Sequence, residues 1–218
     1  MRKVELANNE HYHIFNRGVD KRKIFQETED LLRFFQSMDE FNAINPIDSI
    51  YVNSFRQLRS STPKSEKLVN FLCYCLNPNH YHFILEQLVD KGIEKFMHRL
   101  GTGFTNYFNE KYNRSGSLFQ GRYKAIHINS DEYLLHLSAY INLNSSVHQL
   151  RSSTPKLSKS SWGEYIDNNQ DKQDNQNAFC EKDIILGQFN NPLEYKKFAK
   201  SSLKDIKERK TMKELLLE

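Results

Sequence analysis

Apolar and polar residues along this chain recur with two periods, one near two and one near 3.6, and these divide it into strands and helices. Residues 11–17, HYHIFNR, alternate as a strand does, and the basic run GVDKRK after them reads as a turn. Leu31, Leu32, Phe34, Phe35, Met38 and Phe41 then recur at helical spacing, with Thr28 or Glu29 placed to start the helix. Three strand-like stretches follow: SIYVNSF (49–55), VNFLCYCL (69–76) and HYHFILEQL (80–88). Asn77-Pro78-Asn79 between the last two is a turn signal, so these two are expected to pair antiparallel. A second helix is expected over 92–111, with Phe96, Leu100, Phe104, Tyr107 and Phe108 as its stripe and a kink or break at Gly101-Thr102-Gly103. NRSGSLFQGRYK (113–124) is a Gly-punctuated basic loop, 122–128 a short strand, and Asp131 the expected N-cap of a helix over 132–144.

The order strand, helix, strand, strand, strand, helix, strand, helix predicts an α+β fold: a ferredoxin-like antiparallel sheet with helices packed on one face. Beyond about 157 the chain turns polar, and DNNQDKQDNQN (167–177) is a low-complexity loop. Residues 192–216 carry one or two basic amphipathic helices. The expected division is therefore a domain over 1–157 and a polar loop with a C-terminal helical extension over 158–218. The octapeptide QLRSSTPK occurs twice, at 57–64 and 149–156, and its Ser/Thr/Pro content reads as loop both times. It fits a duplicated phosphate-touching loop or a DNA repeat read through in frame, and carries no functional argument.

Composition narrows the class. Of 218 residues 38% are hydrophobic, with 15 Phe and 11 Tyr, enough to build a core. A formal charge of +4 is compatible with a polyanionic partner without requiring one. No run of 18 apolar residues exists and the N-terminus lacks the apolar stretch of a signal peptide, so a cytoplasmic protein is expected. Cys73, Cys75 and Cys180 have no metal-finger spacing; the first two alternate along an apolar run and are expected on one strand face as small buried hydrophobes.

The chemistry concentrates in Asn77-Pro78-Asn79-His80-Tyr81-His82-Phe83-Ile84-Leu85. Alternate side chains of a strand share a face, so His80 and His82 project together and could bind one divalent metal, with Glu86 on the same face as a further oxygen. Two alternating histidines are a weak motif alone, and His11-Tyr12-His13 repeats the pattern on another strand. That second pair, followed by Asn16, Arg17 and Lys21-Arg22-Lys23, reads as a structural strand whose polar face helps hold nucleic acid. A nucleophile is harder to choose among so many tyrosines. His136, Tyr140 and Asn144 fall at i, i+4 and i+8 on one helix face, apart from the apolar stripe of Leu134, Leu137 and Ile141. A tyrosine so placed suits strand transfer, because its phosphodiester preserves the bond for rejoining. An ordinary packing tyrosine fits the same pattern, and Tyr107 and Tyr112 are rivals.

Four motifs in order resemble the HUH single-tyrosine transposases, in particular the REP-associated tyrosine transposases of the IS200-like kind. They are YHIFNRG (12–18), PNHYHFIL (78–85), SGSLFQGRYK (115–124) and YINLN (140–144), the last after YLL (133–135). The stretch around Trp162 and 184–199 resembles the family's ending, so the likeness runs from about 11 to 200. Ser145 stands where the family usually has proline, and the loop around 56–67 is longer than usual. The resemblance implies His80 and His82 as ligands of Mg²⁺ or Mn²⁺, Asn144 as the position of a third ligand, and Tyr140 as the nucleophile that forms a 5′-phosphotyrosine. It implies single-stranded DNA with a hairpin as the partner, and is compatible with a monomer or a homodimer. Arg122 and Lys124 are implied as backbone contacts. With them, Asn16, Arg17, Lys21, Arg22 and Arg114 are the expected DNA contacts, and Phe119 and Tyr123 are expected to stack on unpaired bases. The alternatives are a non-cleaving DNA-binding protein and an HUH relaxase or replication initiator, the latter class often carrying a second nucleophilic tyrosine or a helicase domain.

Overall fold

A computed structural model describes residues 4–47, 50, 66–148, 157–166 and 178–215. Both QLRSSTPK copies, residues 167–177 and, but for Ile50, the strand expected over 49–55 lie outside the described residues. Strands β1 (His11–Arg17), β2 (Val69–Asn77), β3 (His80–Gln87), β4 (Lys124–His127) and β5 (Lys159–Ser160) form one sheet in the order β4-β1-β3-β2-β5. Every pairing is antiparallel. Helix α1 (Thr28–Glu40) lies between β1 and β2 in sequence, and α2 (Gly92–Lys111) between β3 and β4. This is the expected α+β, ferredoxin-like arrangement, with β5 added at the β2 edge.

The period of two along the central strands sends alternate side chains into two cores. Tyr12, Ile14, Phe71, Tyr74, Tyr81, Phe83 and Leu85 face α1 and α2 in a core rich in aromatic rings. Phe34 and Phe104, for example, meet edge to face at 4.8 Å and 90°, a geometry that adds about 0.5–1.5 kcal/mol beyond area burial. On the opposite face Leu72, Cys73, Cys75 and Ile84 pack against α3 (Asp131–His148), α4 (Trp162–Ile166), α5 (Asp183–Leu186) and α6 (Pro192–Leu215). Helices α1 and α2 thus cover one face as expected, while the elements after β4 cover the other. The three cysteines are buried and unbridged. The β2–β3 register skips Leu72, which bulges between the pairs Phe71↔Leu85 and Cys73↔Ile84.

Local chemistry fixes the helix ends. Glu27 caps α1 in a capping box with Asp30, a fully buried carboxylate. Asp30 Oδ2 accepts from the Gln26 amide at 2.8 Å and the Tyr112 hydroxyl at 2.7 Å, and Oδ1 accepts from Lys111 Nζ at 3.1 Å. Helix α3 starts at Asp131, but its cap is Ser130, whose Oγ accepts from the Tyr133 amide at 3.2 Å. Asp131 is instead the first helical residue, where a carboxylate favours the helix dipole. Described residues beyond 158 pack against α3. The Tyr195 hydroxyl accepts from Asn142 Nδ2 at 2.9 Å and bonds Ser138 Oγ at 3.1 Å, while Ser161 Oγ donates to Asn142 Oδ1 at 2.6 Å. These bonds join α3 to residues on the far side of position 157. Among the described residues no helix is long and apolar enough to cross a membrane.

Helix α2 runs unbroken through Gly101-Thr102-Gly103, where a kink was expected. The glycine at 103 serves close approach instead: a Cβ there would lie 2.7 Å from two ring atoms of Phe41, whereas one at Gly101 would meet nothing within 4 Å. Gly101→Ala is therefore expected to stabilise the protein by about 0.5–1 kcal/mol through helix propensity. Gly103→Ala is expected to destabilise it by about 1–3 kcal/mol through overpacking. Urea unfolding of the two variants checks the opposite signs.

Candidate functional site

Three chain segments meet at the end of the sheet where β2 turns into β3. The turn Pro78-Asn79 receives the segment after β1: Gly18 N donates to Asn79 O at 2.8 Å and Ile24 N to Pro78 O at 2.7 Å. The loop before β4 joins the same segment, with Gln120 N donating to Arg17 O at 2.8 Å and a bridge between Gly18 and Phe119. A Cβ on Gly18 would lie 2.3 Å from the Arg22 carbonyl oxygen, so only glycine allows this approach. Segments 12–18, 78–85 and 115–124, far apart in sequence, are thus held together by backbone hydrogen bonds.

His80 and His82 share the β3 face turned toward α3, as alternation requires. Their rings lie 5.2 Å apart at 84°. His80 Nδ1 donates to Asn79 Oδ1 at 2.6 Å, which makes Nε2 the basic nitrogen, and Nε2 accepts from Asn77 Nδ2 at 3.0 Å. The same Asn77 Nδ2 donates to Asn144 Oδ1 at 2.7 Å. One buried amide therefore ties the β3 histidine to Asn144 of α3. Tyr140, one turn earlier on α3, is half-buried and meets the His82 ring edge to face at 5.8 Å. Burial raises the Tyr140 phenol above its ordinary pKa, and the neighbouring Asn144 side chain opposes the rise. His136 does not join this cluster; its Nδ1 bonds Ser202 Oγ of α6 at 2.7 Å. Glu86 lies at the far end of β3, where it accepts from Asn70 Nδ2 at 2.9 Å.

The structure also brings in a histidine that the sequence reading set aside. His13 of β1 is 6% exposed, and its Nε2 lies 2.9 Å from His82 Nδ1. Burial lowers its pKa to about 4. Strand register brings the two HYH stretches side by side, Phe15 opposite His82 and His13 opposite Ile84. The rival tyrosines are elsewhere: the hydroxyls of Tyr107 and Tyr112 both donate to Asp30, at 3.2 Å and 2.7 Å, beneath the other face of the sheet.

The basic residues fall into three groups. Arg17 pairs with His80 in register and Lys124 with Phe15, so both are on the histidine face, and Arg17 is hydrogen-bonded to Gln120. Lys21 and Arg22 are exposed in the turn braced by Asn79. Arg114 is committed to Asn109, the Ser117 carbonyl and the Phe108 ring, a loop-closing role. Asn16 faces the other side of the sheet and donates to Gly121 O at 3.1 Å. There a groove of about 860 Å³ opens between α2 and the 117–125 segment, lined by Asn16, Asn106, Arg122 and Tyr123 among others. Phe119, expected to stack on a base, is 6% exposed and packed edge-on against Tyr81, so it offers no open ring face. Tyr123 is half-buried at the groove.

Among the described residues no group of three or more His, Cys, Asp or Glu side chains is placed to hold a metal. The groups that converge are two imidazoles and two amides. Asn77 Oδ1 and Asn144 Nδ2 are both buried with no hydrogen-bond partner among the described residues. Such orphans call for a partner, and an acceptor beside imidazole nitrogens suits a divalent cation while a donor suits an anionic oxygen.

Residues 55–144 match the family model described as "Transposase IS200 like". No curated protein matches the chain. Among solved structures, one described as a REP-associated tyrosine transposase bound to a REP hairpin aligns with 13% identity over 76% of this chain and 84% of that one, at a TM-score of 0.49.

Asn77→Ala removes the donor shared by His80 and Asn144 and leaves a buried amide oxygen unpaired. A loss of about 1–3 kcal/mol in unfolding free energy is expected. Asn77→Asp, which sets a carboxylate against Asn144 Oδ1, is expected to lose more; chemical denaturation of both variants checks the order.

Proposed function

We propose that this chain, whose residues 55–144 match the family model described as "Transposase IS200 like", cuts and rejoins single-stranded DNA carrying a hairpin, with Tyr140 as the nucleophile. The observation that carries this reading is the joining of β3 and α3 at one point: Tyr140 stands over His82 at 5.8 Å while Asn77 links His80 to Asn144. A tyrosine packed only for stability has no need of a buried polar cluster beside it.

In this reading His80 and His82 would hold Mg²⁺ or Mn²⁺, with Asn144 at the position of a third ligand and the unsatisfied Asn77 Oδ1 beside them. The bound ion supplies charge withdrawal from the scissile phosphate. The chain's own residues do the rest. Arg17 and Lys124 on the histidine face, and Lys21 and Arg22 in the adjoining turn, neutralise backbone phosphates and set the strand in register. The Tyr140 oxygen forms a bond to phosphorus as the P–O3′ bond breaks. The phenol gives up one proton and the departing 3′ oxygen gains one, so the exchange is a transesterification that a second 3′-hydroxyl can reverse. Half-burial of the phenol excludes water from the phosphotyrosine and favours rejoining over hydrolysis. Arg122 and Tyr123 at the groove are placed to take the strand as it passes the β4 edge.

Incubating end-labelled single-stranded hairpin DNA from the gene's flanks with Mn²⁺ is expected to give a covalent protein–DNA band. Tyr140→Phe and addition of chelator are each expected to abolish it. A band that persists in Tyr140→Phe sinks the assignment of the nucleophile; tight salt-sensitive binding without any band favours a non-cleaving binder. Since burial raises the Tyr140 pKa, the reactive phenolate fraction grows with pH throughout the neutral range. The rate of adduct formation is therefore expected to rise from pH 6 to about 9 without levelling, as read from single-turnover time courses.

A further inference from the structure

We propose that His13 is a positioning residue: its Nε2 accepts the proton on His82 Nδ1, holding His82 in the tautomer whose basic nitrogen is Nε2. The proposal rests on His82 belonging to the reacting site, and is otherwise carried by four observations.

The contact itself is a hydrogen bond of ordinary length, 2.9 Å between His13 Nε2 and His82 Nδ1. Two neutral imidazoles at this distance must divide the roles, one donating and one accepting. Secondly, the ring of His13 cannot easily turn away. It stacks on Phe15 at 4.6 Å and 28° and lies 5.2 Å from His82 at 22°, in a position only 6% exposed. Phe15 closes the third side of this stack, 5.6 Å from His82 and nearly parallel to it.

Thirdly, His80 already shows the same division. Its Nδ1 must donate to Asn79 Oδ1, since an amide oxygen only accepts, so Nε2 is its basic nitrogen. If His82 donates to His13 in the same way, both β3 imidazoles present Nε2 as the lone-pair nitrogen. A pair of ligands acting on one cation or one proton needs this matched state, and a partner on the far nitrogen is the general device that fixes it. Fourthly, the register leaves little freedom. His13 and His82 sit diagonally across the β1–β3 pair, with Phe15 opposite His82 and Ile84 opposite His13, within reach for ring side chains. The second HYH stretch is thus neither a rival metal site nor an idle strand face. It supplies an acceptor to the first stretch.

The test begins with ¹⁵N-histidine-labelled full-length protein without metal. Long-range proton–nitrogen correlation spectra, assigned with His82→Asn, are expected to show His82 protonated at Nδ1. His82 protonated at Nε2 in this protein overturns the proposal, whatever the metal does. Two variants follow. His13→Leu keeps an apolar filling without an acceptor, and is expected to shift His82 to the Nε2-protonated form and weaken Mn²⁺ binding by about 10–100-fold in calorimetry. His13→Gln carries an amide oxygen near the place of Nε2 and is expected to restore both, which a merely structural role for His13 would not do. Mn²⁺ affinity unchanged in a folded His13→Leu overturns the proposal; should that variant not fold, the wild-type tautomer and His13→Gln decide it. A wild-type protein with Nδ1-protonated His82 and no Mn²⁺ uptake supports the role of His13 while removing the metal from the proposed function.

Discussion

Alternation along β3 is the constraint on which the other features hang. Tyr81, Phe83 and Leu85 are buried among the rings brought by α1 and α2, and their intermediates His80, His82 and Ile84 are thereby forced to the opposite face. A slip of one residue would put two imidazoles into an aromatic core and three large apolar side chains in their place. Burying unpaired imidazole nitrogens carries a desolvation cost that the slipped pairing has nothing to offset. The hydrophobic effect on one side of the sheet thus fixes the chemical groups on the other. Both neighbours of β3 then add their share by register alone: β1 gives His13 and Arg17, and β2 gives Asn77.

The second requirement is that α3 be held at a set height over this face. Its apolar residues would permit sliding; its polar ones do not. Ser138 and Asn142 reach the Tyr195 hydroxyl on α6, and Asn142 also accepts from Ser161 beside β5. At the other end Asn144 is bonded to Asn77. Buried polar networks of this kind specify one arrangement among several that packing alone would allow. The elements after residue 158, which look like an appendage in the sequence, therefore set the position of Tyr140.

Much of the fold was legible because its signals are local. Period-two runs gave β1, β2 and β3 to within a residue or so, and the apolar stripes gave α1, α2 and α3. What failed depended on partners distant in sequence. Gly103 reads as a helix breaker until Phe41 is seen to press against it. Phe119 reads as an exposed ring in a basic loop, yet Gly18 and Tyr81 draw it into the core. Asn77 reads as a turn residue but is the last residue of β2, paired with His80, and nothing in the sequence says that its amide also reaches α3. His13 was visible as half of a motif, but its pairing with His82 needs the β1–β3 register, which no local pattern states. Tyr140, His80 and His82 were selected by the ordered resemblance rather than by spacing, since the chain holds other tyrosines and another His-x-His.

The bulge at Leu72 gives β2 a reading frame. Before it, odd-numbered Val69 and Phe71 point into the aromatic core; after it, odd-numbered Cys73 and Cys75 point away from that core, and even-numbered Tyr74 and Leu76 take over the inner positions. The extra residue inverts parity in mid-strand, so the first half of β2 can be anchored by one count while the second half delivers Asn77 by another. Lengths in this segment are therefore quantised: loss of any one residue between Phe71 and Asn77 forces one half out of phase with its neighbours. A surface loop tolerates insertion and deletion freely, but here the number of residues, as much as their identity, is part of the message.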